Sequence, residues 1–288
     1  MANVLAVNKL VSRFAPSPTG LLHLGSAFSA LLAHDLTHAR HGRFLLRVED
    51  IDQARCRPAF TAALIEDLAW LGLAWEQPVR IQSKHFDDYR AGLARLEAMG
   101  LIYPCFCTRA DIAREIHAAA SAPHGPDGPL YPGTCRHLDG AERKRRKGNE
   151  AYALRLDVAK ALGVTGPLTW TDELAGSVAA DPAAMGDVVV ARKDFPTAYH
   201  LSVTVDDHLQ GITLVVRGQD LFHSTHIHRL LQALLGYATP LYHHHRLLLD
   251  AEGRRLAKRD RATTIASLRE DGVSPAEIRA RIGLGAAA

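Results

Sequence analysis

The chain carries the stretch RFAPSPTGLLHLGS at residues 13–26. It is typical of the end of a strand, a tight turn stiffened by Pro16 and Pro18, and the first turn of a helix. Backbone N–H groups at a helix start have no partner inside the helix and attract anions. Gly25 lets the backbone approach a ligand closely. The stretch therefore predicts a phosphate-binding turn, in which His23 donates to a phosphate.

The residues around this turn predict a strand–helix–strand unit. We expect a strand over 10–14, a helix over 23–41 that stops at Gly42, and a second strand over 43–48. Two parallel strands joined by a helix require a right-handed crossover. Ligands of such sheets bind beyond the carboxyl ends of the strands. The turn and the acidic residues 49–52 should therefore lie at the same edge of the sheet.

Weaker patterns organise the rest of the chain. Apolar spacing predicts three further helices, at 57–71, 86–99 and 224–235. Alternation predicts a hairpin of two strands, at 199–205 and 212–216. One last strand is expected at 247–250, ahead of a turn. The Pro- and Gly-rich segment 121–129 is expected to be a loop. The charged segment 142–147 is expected to be a solvated face. Beyond residue 260 we expect one or two helices.

Composition sets broad limits on the class of protein. The 288 residues are 47% hydrophobic and 23% charged, with 34 basic and 31 acidic residues and a net charge of +3. These values are typical of a soluble globular protein, and the charge is too small to indicate a nucleic-acid partner by itself. No apolar run approaches a membrane span, and no secretory leader pattern is seen. We expect a cytoplasmic protein.

The cysteines indicate a metal site. Three of the four cysteines, Cys105, Cys107 and Cys135, are clustered in sequence, as in metal sites of intracellular proteins. Zinc requires four ligands, and thiolates supply only three here. On chemistry alone a nearby histidine would be preferred as the fourth, with three candidates: His117, His124 and His137. Buried free cysteines without metal are the alternative.

Four separated blocks together resemble the class I aminoacyl-tRNA synthetases of the glutamyl and glutaminyl group. Residues 13–26 resemble the first signature of that class, and RLAKR at 255–259 resembles the second, lysine-containing one. RVEDID at 47–52 and VRGQDL at 216–221 resemble further blocks of glutamyl synthetases. The resemblance implies an α/β fold, a Rossmann-like catalytic domain with a parallel sheet, a small zinc-binding insertion and a short helical C-terminal segment. The implied domains are residues 1–104, 105–195, 196–262 and 263–288.

The resemblance also implies roles for individual residues. L-Glutamate would be bound by six residues: Arg13, Ala15, Ser17, Glu49, Tyr199 and Arg217. ATP would be bound by His23, Gly25 and Lys258, of which His23 and Lys258 are catalytic. A structural Zn²⁺ would be bound by Cys105, Cys107, Tyr131 and Cys135. Arginine suits the carboxylates of glutamate because its planar fork binds them bidentately, and Glu49 can pair with the ammonium group.

The lysine block departs from the family pattern in two places. Arg255 stands where lysine is usual, and Ala257 replaces a common serine. The lost hydroxyl is expected to weaken closure over ATP modestly, whereas Lys258 is kept.

The end of the sequence indicates which subgroup of these synthetases the chain resembles. Glutamyl-tRNA synthetases continue into an anticodon-binding region, whereas this sequence ends 29 residues after Arg259. Together with the cysteine insertion, this resembles the glutamyl-Q tRNA(Asp) synthetases. That family implies activation of glutamate by ATP with Mg²⁺, and transfer to queuosine in the anticodon loop of tRNA(Asp). A compact glutamyl-tRNA synthetase that charges the 3′ end of tRNA(Glu), and a catalytically silent tRNA-binding paralogue, are the alternatives. We expect a monomer.

Overall fold

Two groups of parallel strands, from opposite ends of the chain, form the centre of the fold. The computed structural model describes residues 9–118, 124–126, 128–248 and 264–285. The first half contains β1 (Val11–Phe14), α1 (Leu24–His38), β2 (Arg43–Val48), α2 (Pro58–Trp70), β3 (Glu76–Ile81) and α3 (Phe86–Ala98). The middle contains β4 (Ile102–Cys105), α4 (Arg109–Ala118), β5 (His124–Gly125), β6 (Gly128–Pro129), α5 (Gly140–Asn149), β7 (Ala153–Leu156), α6 (Val158–Thr165), β8 (Thr169–Asp172), β9 (Gly176–Ala179) and β10 (Val189–Ala191). The last part contains α7 (Tyr199–Leu209), β11 (Leu214–Gly218), α8 (Ser224–Leu234), β12 (Leu241–His245), α9 (Ile265–Glu270) and α10 (Pro275–Arg281).

The strand order is that of a doubly wound sheet. Strands β1, β2 and β3 are parallel neighbours, as are β11, β12 and β8, and β9 pairs antiparallel with β8. The two groups meet where the Thr213 N–H donates to the Val11 carbonyl at 2.9 Å, so β1 lies beside β11. The order β3–β2–β1–β11–β12 changes direction between β1 and β11, which is where open α/β sheets bind ligands. The predicted fold class is thus confirmed.

Helix α1 lies close against the sheet because its buried face is built from small residues. Ala27, Ala30 and Ala33 are completely buried at successive turns, and the larger Phe28 and Leu31 fill the space beside them. This packing places the start of α1 over the carboxyl end of β1.

Gly42 has a different role from the one predicted. The left-handed residue after α1 is His41, with a φ of 52°, so Gly42 does not provide the helix stop. A Cβ at Gly42 would lie 2.7 Å from the Leu10 carbonyl oxygen. The glycine is required because α1 must return to β2 in contact with the strand before it.

The middle of the chain forms an antiparallel unit that packs beside the central sheet. Strands β10, β7 and β4 make a three-stranded sheet, and a small cluster of buried side chains lies at the end of β4. Helix α5 buries none of its residues, which confirms the predicted solvated face. Strands β5 and β6 form a short hairpin inside the predicted loop at 121–129. The proposed domain boundaries remain a prediction.

Most predicted elements are confirmed, whereas the strand predicted at 199–205 was wrong and the described half of the one predicted at 247–250 is not a strand. The segment 199–205 is the first part of helix α7. Of the predicted strand 247–250, residues 247 and 248 lie in no strand, and residues 249 and 250 lie outside the described part of the chain, in which the last strand is β12. The alternation at 199–205 was misleading because the helix is buried on all sides, including its hydroxyl residues. Ser202 Oγ donates to the Tyr199 carbonyl at 3.2 Å and Thr204 Oγ1 donates to the His200 carbonyl at 2.7 Å, so both hydroxyls can be buried within the helix. No helix in the described ranges is long and apolar enough to span a bilayer.

Candidate active site

A cavity of about 460 Å³ opens at the carboxyl ends of β1 and β11. Eight predicted substrate and nucleotide residues line it: Arg13, Ala15, Ser17, His23, Gly25, Glu49, Tyr199 and Arg217. Lys258, with the rest of the block at 255–259, lies outside the described residues. The structure therefore brings the described members of the predicted set around one cavity, although their individual roles remain predictions.

The helix start in this cavity is organised by His23. This residue is the N-cap of α1, and its Nδ1 accepts from the Ser26 N–H at 3.3 Å. Because Nδ1 accepts, the proton of the neutral ring lies on Nε2, which is 3.0 Å from Ser26 Oγ. His23 can therefore donate from Nε2 while it caps the helix. The bridge between His23 and Thr264 holds the start of α9 against the same turn.

The turn also fixes the end of β2. The Glu49 N–H donates to the Pro16 carbonyl at 3.0 Å, which brings the acidic residue next to the first turn of α1. Glu49 is 8% exposed, and burial raises the pKa of its carboxyl group although Arg47 and Arg13 act in the opposite direction. A buried carboxylate here can pair with an ammonium group.

A buried ionic network supports the floor of the cavity. Arg47 is completely buried and lies 2.8 Å from Asp207 Oδ1, 3.2 Å from Glu49 Oε1 and 3.7 Å from Asp206 Oδ2. Burial alone favours the neutral guanidine, but these carboxylates outweigh it and raise the pKa of Arg47. Arg13 Nε donates to Asp207 Oδ1 at 2.9 Å. Burial raises the pKa of Asp207, but Arg13 and Arg47 more than offset this and lower it overall.

Arg217 has different surroundings from Arg13. Among the described residues, no carboxylate lies within the 4 Å ion-pair distance of its guanidinium. Its contacts are neutral: His244 Nε2 at 3.1 Å, His228 Nδ1 at 3.2 Å, Thr225 Oγ1 at 2.6 Å and Tyr199 Oη at 3.4 Å. Burial and the charge of Arg217 lower the pKa of His244 to about 4 and that of His228 well below its ordinary value. The cavity thus contains a buried cation whose charge is balanced less closely than that of Arg13.

Sequence reasoning did not assign several residues that build this site. Arg47 lay inside the block at 47–52, but nothing in the pattern showed that it would be buried. Asp207 directly follows the segment 199–205, which was predicted to be a strand. It was therefore expected in a hairpin turn and not in a buried helix. His244 was given no role in the site, and it is buried beside Arg217.

The cysteines converge at the end of β4. The Sγ atoms of Cys105, Cys107 and Cys135 lie within 4.8 Å of one another. Tyr131 Oη lies 3.4 Å from Cys105 Sγ and 3.7 Å from Cys107 Sγ. A tetrahedral zinc ion with bonds of about 2.3 Å requires ligand atoms about 3.8 Å apart, so these four side chains fit the ion. No His, Asp or Glu among the described side chains joins the group, and those of His117 and His124 lie outside them.

Comparisons with known proteins agree with this geometry. The family model for class I (E and Q) tRNA synthetases, catalytic domain, matches residues 9–286. The glutamyl-Q tRNA(Asp) synthetase of Rhodobacter capsulatus is 48% identical over 281 residues, which cover 96% of this chain and 100% of the relative. That of Symbiobacterium thermophilum is 46% identical over 279 residues, which cover 92% of this chain and 83% of the relative.

A solved structure is similar over the same region. The glutamate tRNA ligase of Elizabethkingia meningosepticum, crystallised with its amino acid, is 27% identical with a TM-score of 0.73. The match covers 88% of this chain and 52% of the solved one, so the chain spans about half the length of that synthetase. The protein is a ligase of the aminoacyl-tRNA synthetase type that uses ATP. The chain belongs to the class I glutamyl and glutaminyl tRNA synthetases, and within them to the glutamyl-Q tRNA(Asp) synthetase family.

Proposed function

We propose that the protein activates L-glutamate with ATP and transfers the glutamyl group to queuosine in the anticodon loop of tRNA(Asp). One observation supports the amino acid most directly: two buried arginines and one buried carboxylate, Arg13, Arg217 and Glu49, line the same cavity. Glutamate carries two carboxylates and one ammonium group, so the charges of the site and the substrate are complementary.

The two arginines differ in how much charge they offer. Arg13 shares its charge with Asp207, whereas Arg217 is surrounded by neutral groups among the described residues. Arg217 is therefore expected to make the stronger electrostatic contact with a substrate carboxylate. Ala15 and Ser17 line the same cavity, and Tyr199 lies beside Arg217.

Activation then requires the α-carboxylate to attack the α-phosphate of ATP in line, releasing pyrophosphate. The N-terminus of α1 and His23, which line the cavity, are proposed to stabilise phosphate charge, and Gly25 is proposed to let the backbone approach the nucleotide. Lys258 is proposed to follow the charge onto the leaving pyrophosphate. Mg²⁺ bound to the nucleotide would neutralise part of the phosphate charge. A nucleophile of queuosine then displaces AMP from the glutamyl-adenylate.

The cysteine cluster is proposed to hold a structural Zn²⁺ through Cys105, Cys107, Cys135 and Tyr131. The ion would cross-link the end of β4 to the residues around Cys135, since a structural zinc contributes directly to folding. We also propose a cytoplasmic monomer, which meets ATP, glutamate and queuosine-containing tRNA(Asp) in the same compartment.

The function is tested in two stages. Glutamate-dependent exchange between ATP and pyrophosphate is expected in the wild type and should be lost in Lys258→Ala. Labelled glutamate should then be transferred to tRNA(Asp) that contains queuosine, but not to tRNA(Asp) that lacks it. Removal of the 3′-terminal adenosine should leave this transfer intact. Charging of tRNA(Glu) that depends on that adenosine would instead indicate a compact glutamyl-tRNA synthetase, and absence of exchange would indicate a silent paralogue.

A further inference from the structure

Arg217 is held by a chain of hydrogen bonds that begins outside the cavity. The chain starts at Asp172, the last residue of β8, which is 2% exposed and lies opposite Tyr242 of β12. Asp172 Oδ2 lies 2.8 Å from His244 Nδ1, and His244 Nε2 lies 3.1 Å from Arg217 Nε. The carboxylate therefore reaches the guanidinium through one imidazole ring.

Asp172 is fully engaged as an acceptor. Its Oδ1 accepts from the Leu174 and Ala175 N–H groups, both at 2.9 Å, and its Oδ2 also accepts from the His244 N–H at 3.1 Å. Burial raises the pKa of Asp172, but the bonds from His244 and from these backbone groups lower it overall. The side chain is thus an ionised acceptor that demands a proton on His244 Nδ1.

One protonation pattern satisfies every bond in the group. With its proton on Nδ1, His244 presents the lone pair of Nε2 to Arg217 Nε and to Thr225 Oγ1, which is 3.2 Å away. Thr225 Oγ1 accepts from Arg217 Nη2 at 2.6 Å and donates to His244. The rings of Trp170, Phe222 and Tyr242 surround His244, with centroids 5.6, 5.0 and 5.7 Å away. The opposite tautomer would direct an N–H at the N–H of Arg217.

We propose that Asp172 and His244 are positioning residues for Arg217: Asp172 fixes the Nδ1–H tautomer of His244, so that Nε2 holds the guanidinium toward the substrate carboxylate. The substrate part of this proposal rests on the proposed function. Arg217 has five N–H hydrogens, of which the contacts with His244, Thr225 and His228 use three. Two hydrogens on Nη1 and Nη2 then serve a carboxylate, one of them now in the long contact with Tyr199.

The variant Asp172→Asn reverses the tautomer while it keeps the shape of the side chain. The amide oxygen has to face the Leu174 and Ala175 N–H groups, so the NH₂ group faces His244 Nδ1 and also the backbone N–H of residue 244, whose lost bond is common to all variants that carry Asp172→Asn. His244 must then accept at Nδ1 and carry its proton on Nε2, opposite Arg217 Nε. Because hydrogen bonds of charged groups are involved, we expect the Kd for glutamate to rise about ten-fold or more. The KM for ATP should stay within about two-fold, since the helix start of α1 is untouched.

A second substitution separates positioning from simple structural support. In His244→Gln the side-chain oxygen reaches the place of Nε2 and accepts from Arg217 whatever residue occupies position 172. Adding Asp172→Asn to this variant should therefore change the Kd for glutamate by less than about three-fold, because the two changes are coupled. If Asp172 only supports the β8–β9 turn, Asp172→Asn should instead raise the Kd for glutamate by the same factor in the wild type and in His244→Gln.

Glu173→Gln is the matched control. Glu173 Oε2 lies 2.9 Å from His243 Nδ1. Glu173 directly follows β8, His243 precedes His244 on β12, and neither residue lines the cavity. The control should bind glutamate like the wild type. Calorimetric titration of glutamate into the full chain measures all five proteins, and circular dichroism melting checks that each is folded.

The tautomer can be observed without any substrate. In ¹⁵N-histidine-labelled protein at pH 7, long-range ¹H–¹⁵N spectra should show a protonated Nδ1 for His244, identified as the signal missing in His244→Gln. Nε2 protonation in the wild type, or equal loss of affinity on adding Asp172→Asn in both backgrounds, would overturn the proposal. Wild-type protein that shows the Nδ1–H signal but binds no glutamate would contradict the proposed function and leave the tautomer assignment standing.

Discussion

Arg13 and Asp207 form a buried ion pair, in which the guanidinium Nε lies 2.9 Å from the carboxylate Oδ1. The same carboxylate oxygen accepts from Arg47 Nη1 at 2.8 Å. One acidic side chain of α7 therefore balances a cavity arginine and the buried arginine beneath it. The orientation of Arg13 depends on this residue, which is 194 positions away in sequence.

Asp207→Asn is expected to destabilise the protein by about 3 kcal/mol at pH 7, because two buried cations lose their shared counter-charge. The pKa of Asp207 is lowered by folding, so its contribution is present above the pKa of an unfolded aspartate. It is lost as pH falls through the lower folded pKa. Urea unfolding at several pH values should therefore show a difference from wild type that shrinks in acid.

The matched control for this change is Asp87→Asn. Asp87 pairs with Arg90 on the surface of α3, and its side chain is 93% exposed. Its substitution should change the free energy of unfolding by less than about 0.5 kcal/mol. Equal effects of the two variants would show that the buried network does not stabilise the fold.

Glutamate binding should weaken in acid through Glu49. Burial raises the pKa of this carboxyl group above its ordinary value of 4.5, and the protonated form cannot pair with an ammonium group as an ion. The KM for glutamate in pyrophosphate exchange should rise as pH falls, with a midpoint above 4.5. In Glu49→Gln we expect a KM about ten-fold higher and without this pH dependence. A parallel pH profile in both proteins would assign the titration to another group.

Zinc should leave the protein when its ligands are changed. We expect about one equivalent of zinc in the purified wild type, and loss of it in Cys107→Ser because three-sulfur binding is broken. Cys56→Ser is the control, since Cys56 is not part of the cysteine cluster. Tyr131→Phe identifies the fourth ligand: zinc affinity lowered at least about ten-fold supports the phenol. Unchanged affinity in Tyr131→Phe would exclude it.

Gly42→Ala tests the close approach between α1 and β1. A Cβ at this position would lie 2.7 Å from a backbone oxygen, so the strands must shift, at a cost of about 1–3 kcal/mol. Gly163 of α6 is the comparison, because a Cβ there meets nothing within 4 Å. Gly163→Ala should stabilise the helix by up to about 1 kcal/mol. Thermal unfolding of the two variants should therefore shift in opposite directions.

The first half of the sheet could be predicted because its signals are local. Strand β2 was predicted at its observed bounds, since a buried strand followed by acidic residues is a short-range pattern. Helix α7 could not be predicted from local signals. The alternation of polar and apolar residues at 199–205 is typical of a strand, but the surrounding fold buries the polar side chains as well. Period alone does not distinguish a strand with one buried face from a helix buried on all sides.

The candidate site shows the same division. Arg13, Glu49 and Arg217 were placed by short motifs, and they line one cavity. Short motifs did not identify Asp172 and Asp207. Each of them contacts a site residue that is far away in sequence: Asp172 contacts His244, and Asp207 contacts Arg13. A short motif indicates side chains that contact a ligand. The side chains that orient them are brought into place only when the whole domain packs.

The contact between β1 and β11 has a consequence for biosynthesis. Val11 and Thr213 are 202 residues apart, so translation at about 5–20 residues per second separates their synthesis by about 10–40 seconds. During that interval the inner edge of β1 has no partner strand, and an unpaired edge is prone to pairing with other chains. The cavity cannot exist on the ribosome until β11 has emerged. Strand β11, which is synthesised late, thus both completes the cavity and covers the inner edge of β1.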